Sequence, residues 1–275
     1  MKAALSTLSC PAWDLETVLD RASTYGFDGV DFRGLGEDLD VTRTARFTDD
    51  LDATRAAIAE AGLTTSAVST SVHLCAPEER EENLAEARRT IPVADALDVD
   101  CVRVFGGGDL DARSREELAD VAAETMGEIL DLEGARDLTW AVETHDHWTR
   151  SADCRLLLDR IDDDAVGVLW DVGHTTRVSD ESPAESLDVF GDDVAYLHLK
   201  DAVRDPDHPD AMDDGWRYVL PGEGALPLAE ALTALEERGY DGWVNFEHEK
   251  RWHPELEPPE VANPAFVEWF ESVTR

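Results

Sequence analysis

The chain has 275 residues, 43% of them hydrophobic, enough apolar side chain for one α/β barrel of about 250 residues or for two smaller domains. Its 62 acidic residues outnumber 24 basic ones, giving a net charge of −38. That balance excludes nucleic acid and anionic membrane surfaces as natural partners, because both recruit clustered Lys and Arg. Only Lys2, Lys200 and Lys250 are lysines, and arginine supplies the other 21 cations. An acidic shell nearly free of lysine points to a halophilic protein in a salt-rich cytosol. At about 1 M salt the Debye length shrinks to roughly 3 Å, so the shell's self-repulsion is tolerable. Cys10, Cys75, Cys101 and Cys154 are scattered with no C-x-x-C pair, which predicts a reduced, cytoplasmic setting and no zinc knuckle.

The N-terminal run 2–8 reads as a strand rather than a signal peptide, since it lacks a long apolar core. An amphipathic helix over 15–26 follows, with Asp14 as its cap. Strand 28–33 precedes helix 47–62, and strand 64–72 leads through His73 into helix 79–97. Strand 100–105 runs into Gly106-Gly-Gly108 and helix 114–133. Strands 138–144, 166–171, 194–199 and 242–247 then alternate with helices 152–162, 184–190, 226–239 and 263–274. No stretch has the length and apolarity of a membrane span. Segments 201–225 and 255–264 read as long loops, which on a barrel's catalytic face usually carry function. Eight βα units without a linker predict a single-domain (β/α)₈ TIM barrel over residues 1–275. The competing fold is a doubly wound open sheet. It usually has fewer strands and often a Gly-rich first turn, which this chain lacks.

Four consecutive strands end on metal-ligand chemistry. They carry Glu143 in Val-Glu-Thr-His, Asp171 in Trp-Asp-Val-Gly-His, His198 in His-Leu-Lys-Asp and Glu247 in Asn-Phe-Glu. Strand residues alternate faces. Glu143 therefore shares a face with Ala141 and His145, His198 with Tyr196 and Lys200, and Glu247 with Asn245 and Glu249, while Asp171 opposes Val168 and Trp170. The apolar set faces the helices and the polar set the barrel interior. Three carboxylates and one imidazole suit Mn²⁺, Mg²⁺ or Co²⁺, with Zn²⁺ also accommodated. Any one strand-end acid is as readily a helix cap or loop ion pair; four together at one mouth predict a cation cage.

These motifs, with Leu-Pro-Gly-Glu-Gly and Gly-Tyr-Asp-Gly-Trp-Val-Asn-Phe-Glu, resemble the xylose isomerase-like TIM-barrel superfamily, most strongly over the second half of the chain. The resemblance implies one divalent metal, Mn²⁺ first, held by Glu143, Asp171, His198 and Glu247, with Glu143 and Glu247 as the acid/base pair. It implies substrate contacts from His174 and from Arg204. It also implies a sugar, sugar phosphate or polyol-ketone substrate, isomerase or epimerase chemistry, and assembly with copies of itself, although the sequence displays no interface.

Lys200, kept in a lysine-poor chain, reads either as a buried ion pair with Asp201 or a neighbouring strand, or as a cation for substrate oxygens. His145 reads as a hydrogen-bonding support or a substrate contact. Arg33 and Arg103 have inward parity and read as ionic ties or as ligands for a substrate carboxylate or phosphate. Trp13, Trp148, Trp216 and Trp252 read mostly as loop packing, with one or two available to wall a sugar's C–H face. Glu223 reads as a turn element, and the triple glycine as a flexible loop or an anion approach. His73 resembles a zinc ligand of endonuclease IV. The rest of a three-zinc set is missing and the charge opposes DNA, so His73 is assigned to substrate binding. Two other readings remain. One is a dehydratase of an inosose or dehydroshikimate using the same cage; the other is a barrel that binds metal or sugar without turnover.

Overall fold

Apolar strands alternating with amphipathic helices dictate the architecture of the computed structural model, which describes residues 1–274. Eight parallel strands close into a barrel: β1 (Lys2–Ser6), β2 (Gly29–Phe32), β3 (Thr64–His73), β4 (Cys101–Phe105), β5 (Thr139–Glu143), β6 (Val166–Asp171), β7 (Val194–Leu199) and β10 (Trp243–Phe246). Each neighbours the next in sequence around the ring, and β10 closes it between β7 and β1. The fold is the expected (β/α)₈ barrel.

Helices α1 (Leu15–Tyr25), α2 (Leu51–Glu60), α3 (Arg80–Ala96), α4 (Arg115–Leu130), α5 (Ser151–Ile161), α7 (Pro183–Phe190), α8 (Leu228–Glu237) and α9 (Pro259–Val273) surround it. Their ends follow local chemistry. Asp14 accepts the Thr17 N–H at 2.9 Å to start α1, and Ser114–Glu117 and Ser182–Glu185 form reciprocal capping boxes on α4 and α7.

Side-chain alternation sorts the strands into two cores. Val142, Val168, Trp170, Leu197, Val244 and Phe246 join the large cluster beneath the helices. Ala67, Cys101, Ala141, Leu169 and Tyr196 plug the barrel's interior. Ser66 and Tyr196 hydroxyls meet across that plug at 2.8 Å, satisfying the one polar handle of its aromatic ring. Above the plug the interior turns polar, and that step in polarity places the site. All four cysteines are buried and free. Among the described residues no helix is long and apolar enough to cross a membrane.

Three local expectations are corrected. Segment 201–225 is not all loop: β8 (Asp201–Arg204) and β9 (Trp216–Val219) pair as an antiparallel hairpin. The eleven residues between them hide it: they carry turn residues such as Asp205-Pro206 and Asp214-Gly215, but are too many for a two-residue hairpin turn. A helix absent from the reading, α6 (Val172–Ser179), starts directly on Asp171; its short Val-Gly-His-Thr-Thr-Arg-Val-Ser run has no apolar stripe to reveal it. The final helix begins at Pro259 rather than 263, as suits a proline at the first helical position.

Candidate metal centre and substrate pocket

Parallel register brings the four strand ends together. Asp171 pairs with His198 across β6 and β7, and His198 pairs with Asn245 across β7 and β10, two residues before Glu247. One ligand atom from each of Glu143, Asp171, His198 and Glu247 lies within 4.8 Å of the others, and all four residues are buried. Glu143 Oε1 and Glu247 Oε1 face His198 Nδ1 at 3.4 and 3.1 Å. The other oxygen of each glutamate faces a cation: Arg103 Nη1 lies 3.5 Å from Glu143 Oε2, and Lys200 Nζ 2.6 Å from Glu247 Oε2. Both Glu143 oxygens, Asp171 Oδ2 and both His198 nitrogens are buried without a hydrogen-bond partner. Orphaned donors and acceptors converging on one point are costly unless something binds there. A divalent cation fits this set in donor type and number.

The electrostatics agree. Burial and the charge of Glu247 push the Glu143 carboxyl up, but Arg103 and His198 outweigh them and hold it below the carboxylate range. Burial likewise opposes ionisation of Glu247, and Lys200 and His198 reverse it. Asp171 carries the cluster's repulsion: burial raises it to about 6 despite Lys200. Burial disfavours a charged His198, yet Glu247, Asp31 and Glu143 raise it well above the imidazole range. The carboxylates thus favour a charged His198 ring, and a metal held at its Nδ1 would take the place of that proton.

Lys200 is 3% exposed and sits among three carboxylates, Asp171 at 2.9 Å, Glu247 at 2.6 Å and Glu249 at 2.5 Å. Its partners are these and not Asp201. Asp201 instead accepts the N–H groups of Gly222 and Gly224, both at 2.9 Å, and so folds the Pro-Gly-Glu-Gly turn around a buried carboxylate. His174 opens α6: its own N–H donates to Asp171 Oδ1 at 2.9 Å, and its Nδ1 lies 3.0 Å from the Thr144 carbonyl. Only a protonated Nδ1 satisfies that carbonyl, so Nε2 is the free acceptor. Burial, with Lys200 and His145 nearby, lowers this ring to about 3. His145 is half-buried on the pocket wall with Nδ1 2.7 Å from Asp146 Oδ1. Burial lowers it, but Asp146 and Glu143 raise it overall.

A pocket of about 240 Å³ opens above the cluster, walled by Leu8, Phe105, Glu249 and Trp252 as well as Arg33, Arg103, His145 and Lys200. Three expected substrate contacts, His174, His73 and Arg204, are not in its wall. His73 is half-buried, 2.8 Å from Glu79, with its ring stacked on Phe105. Arg204 is exposed at the end of β8, opposite Trp216. Of the four tryptophans read as loop residues, Trp252 stands 50% exposed at the mouth, while Trp148 is fully buried. A side chain at Gly106 would collide with Trp148, and one at Gly107 with His73. The triple glycine therefore seats these rings rather than an anion.

Two further carboxylates, Asp31 and Glu249, surround the site. Asp31 on β2 faces His198 Nε2 at 3.6 Å and accepts from Ser69 Oγ at 2.8 Å, the place of a carboxylate that would orient the imidazole of a candidate metal ligand. Its inward parity on Gly-Val-Asp-Phe was the available signal. Glu249 is fixed by Lys200 and by the Tyr218 hydroxyl at 3.0 Å, a contact that depends on the hidden hairpin.

The family model described as a xylose isomerase-like TIM barrel matches residues 19–272. An inosose dehydratase of Lacticaseibacillus casei is 28% identical over 142 residues, 47% of this chain and 45% of that one. The chain thus aligns with less than half the length of that curated relative. Among solved structures, the zinc-bound IolI protein has a TM-score of 0.80 at 18% identity, covering 99% of this chain and 98% of that one. A D-tagatose 3-epimerase-like protein has a TM-score of 0.76 at 19% identity, covering 99% and 98%.

Proposed function

This chain belongs to the xylose isomerase-like TIM-barrel family, and on that footing we propose that it is a divalent-metal-dependent isomerase or epimerase of a sugar or related polyol ketone. One observation carries the reading. Glu143 and Glu247 rise from β5 and β10 on either side of His198, and each turns one oxygen to the candidate metal position while a cation backs the other. A divalent ion bound there, with Mn²⁺ as first choice, supplies Lewis acidity toward a carbonyl and its neighbouring hydroxyl. Glu143, held ionised by Arg103 and His198, is placed to take the proton from the carbon between those oxygens. Glu247, ionised at rest, returns a proton from its own side once it has taken one up from the Lys200 ammonium 2.6 Å away. The Lys200 ammonium, bonded to Asp171, Glu247 and Glu249, keeps Glu247 ionised until that transfer. Return on the same face gives aldose–ketose isomerisation, and return on the other face gives epimerisation. His174 offers Nε2 as a neutral acceptor for a substrate hydroxyl.

Dehydration is the second reading, and His145 favours it. Asp146 and Glu143 favour the charged form of its imidazole, which lines the pocket where its proton can pass to a leaving β-hydroxyl. The match to an inosose dehydratase supports the same outcome.

Incubation of the Mn²⁺-loaded protein in D₂O with ketoses, inosose and dehydroshikimate tests both. Deuterium appearing beside the carbonyl with the skeleton intact supports the first reading, and loss of water supports the second. Glu143→Gln should lower exchange by more than about 10²-fold, as for a lost acid/base group. Full exchange in both Glu143→Gln and Glu247→Gln rules the mechanism out. Metal binding without exchange on any compound leaves only a binding barrel.

A further inference from the structure

The candidate metal ligands come from β5, β6, β7 and β10, one half of the ring. The opposite half carries two arginines, of which only Arg103 enters the proton-transfer chemistry, through its one contact with Glu143. Arg33 directly follows β2 and Arg103 lies within β4; both are buried and both wall the central pocket. Backbone and packing hold them in place. The Arg33 N–H donates to Thr7 Oγ1 at 2.9 Å and its Nη1 to the Leu39 carbonyl at 3.2 Å. The Arg103 guanidinium lies 3.9 Å over the Phe105 ring.

What they lack is a full set of partners. Among the described residues no carboxylate forms an ion pair with Arg33, and Arg103 has only Glu143 at 3.5 Å. Arg103 Nε and Nη1 are buried with no hydrogen bond. Burial and the neighbouring charge of Arg103 depress Arg33 to about 10, so it remains a cation at neutral pH. Two mutually repelling buried guanidiniums are a poor structural tie, because an unpaired buried charge costs several kcal/mol. They are a good fork for a planar anion.

Resting on the proton-transfer reading of this pocket, we propose that its substrate is a carboxylate-bearing polyhydroxy ketone, gripped at its acid end by Arg33 and Arg103 while its carbonyl end faces Glu143 and Glu247. Carboxylate is favoured over phosphate by what surrounds the fork. Lys200 is consumed by three carboxylates, and the glycines after β4 are covered by Trp148 and His73. No further cation or backbone cradle is left for a second negative charge, which would also confront Glu143 and Glu249 on the pocket wall.

The test is calorimetric titration of the Mn²⁺-loaded full chain with three probes sharing one skeleton: D-fructose, D-fructuronate and D-fructose 6-phosphate. D-fructuronate should bind at least about tenfold tighter than D-fructose, the lower range for charge-assisted hydrogen bonds. Arg33→Gln should remove that preference, and Arg33→Lys, which keeps the charge without the fork, should remove part of it. Equal affinity for the acid and the neutral sugar, or no binding of the acid, overturns the proposal. Tighter binding of the phosphate overturns the choice of carboxylate. The wild-type comparison decides even if a variant fails to fold. Because the readout is binding, deuterium exchange on a neutral ketose would preserve the catalytic reading while the arginine fork fails. Selective acid binding without exchange would do the reverse.

Discussion

Replacing Lys200 by methionine isolates the charge balance of the site. The ammonium lies 2.9, 2.6 and 2.5 Å from three carboxylates and is 3% exposed. Its removal leaves Asp171, Glu247 and Glu249 facing one another with no central cation, and methionine fills the space of the aliphatic stem. Losing one partner of a buried ion pair costs about 3–5 kcal/mol. At about 2–4 °C per kcal/mol for a chain of this size, the metal-free protein should melt about 6–20 °C lower. The loss should be smaller at pH 6 than at pH 8. Asp171 already sits at about 6 through burial, raised above its ordinary 3.8, so its ionised form is the disfavoured one. That penalty is absent below 3.8 and complete once the pH has risen through 6. Deleting the lysine pushes this group higher still, and a proton then substitutes for the ammonium. Mn²⁺ at saturation should restore most of the melting temperature, since a cation returns to the same carboxylates. The assay is a set of thermal melts by circular dichroism, with and without Mn²⁺, at the two pH values. An unchanged metal-free melt, or a loss that Mn²⁺ leaves untouched, refutes the account.

Three further outcomes are expected. His198→Ala should lose bound metal, and Asp31→Asn should weaken it about 10–100-fold through the imidazole it orients; unchanged metal content by mass spectrometry removes His198 from the ligand set. His174, lowered from 6.5 to about 3 by burial, should stay neutral with its proton on Nδ1 down to pH 5. The unfolded chain takes up that proton first, so stability from the neutral ring is intact above 6.5 and declines as pH falls toward 3. Nitrogen-15 spectra showing an imidazolium at pH 6 contradict this. The −38 charge predicts a melting temperature that climbs from dilute to molar KCl, and a flat salt profile removes the halophilic reading.

Much of the site was legible because a parallel barrel converts sequence order into spatial order. Once Glu143, Asp171, His198 and Glu247 are each at the end of a strand with inward parity, closure of the ring brings them together. Alternation along each strand likewise separated Leu197 and Leu199, under the helices, from His198 and Lys200 at the mouth. Local punctuation placed α1 and α4, because Asp14 and Ser114 act within one turn of their own backbone.

What the sequence left open depends on contacts across the ring or between loops. The partners of Lys200 come from β6 and from the segment after β10, and nothing near position 200 names them. The β8–β9 hairpin, which brings Tyr218 to Glu249, joins strands separated by eleven residues, too long a connection for local turn residues to announce the pairing. Arg204 and His73 follow the motif by spacing, yet Arg204 ends exposed on that hairpin and His73 turns to Glu79. Asp31 and Arg33 acquire meaning only when the barrel carries β2 across from β6 and β7. Strand periodicity is a local property of the chain and can be read from it. Pairing of charges across a closed barrel is set by the direction of each strand end and the length of each loop, so it exists only in the folded protein.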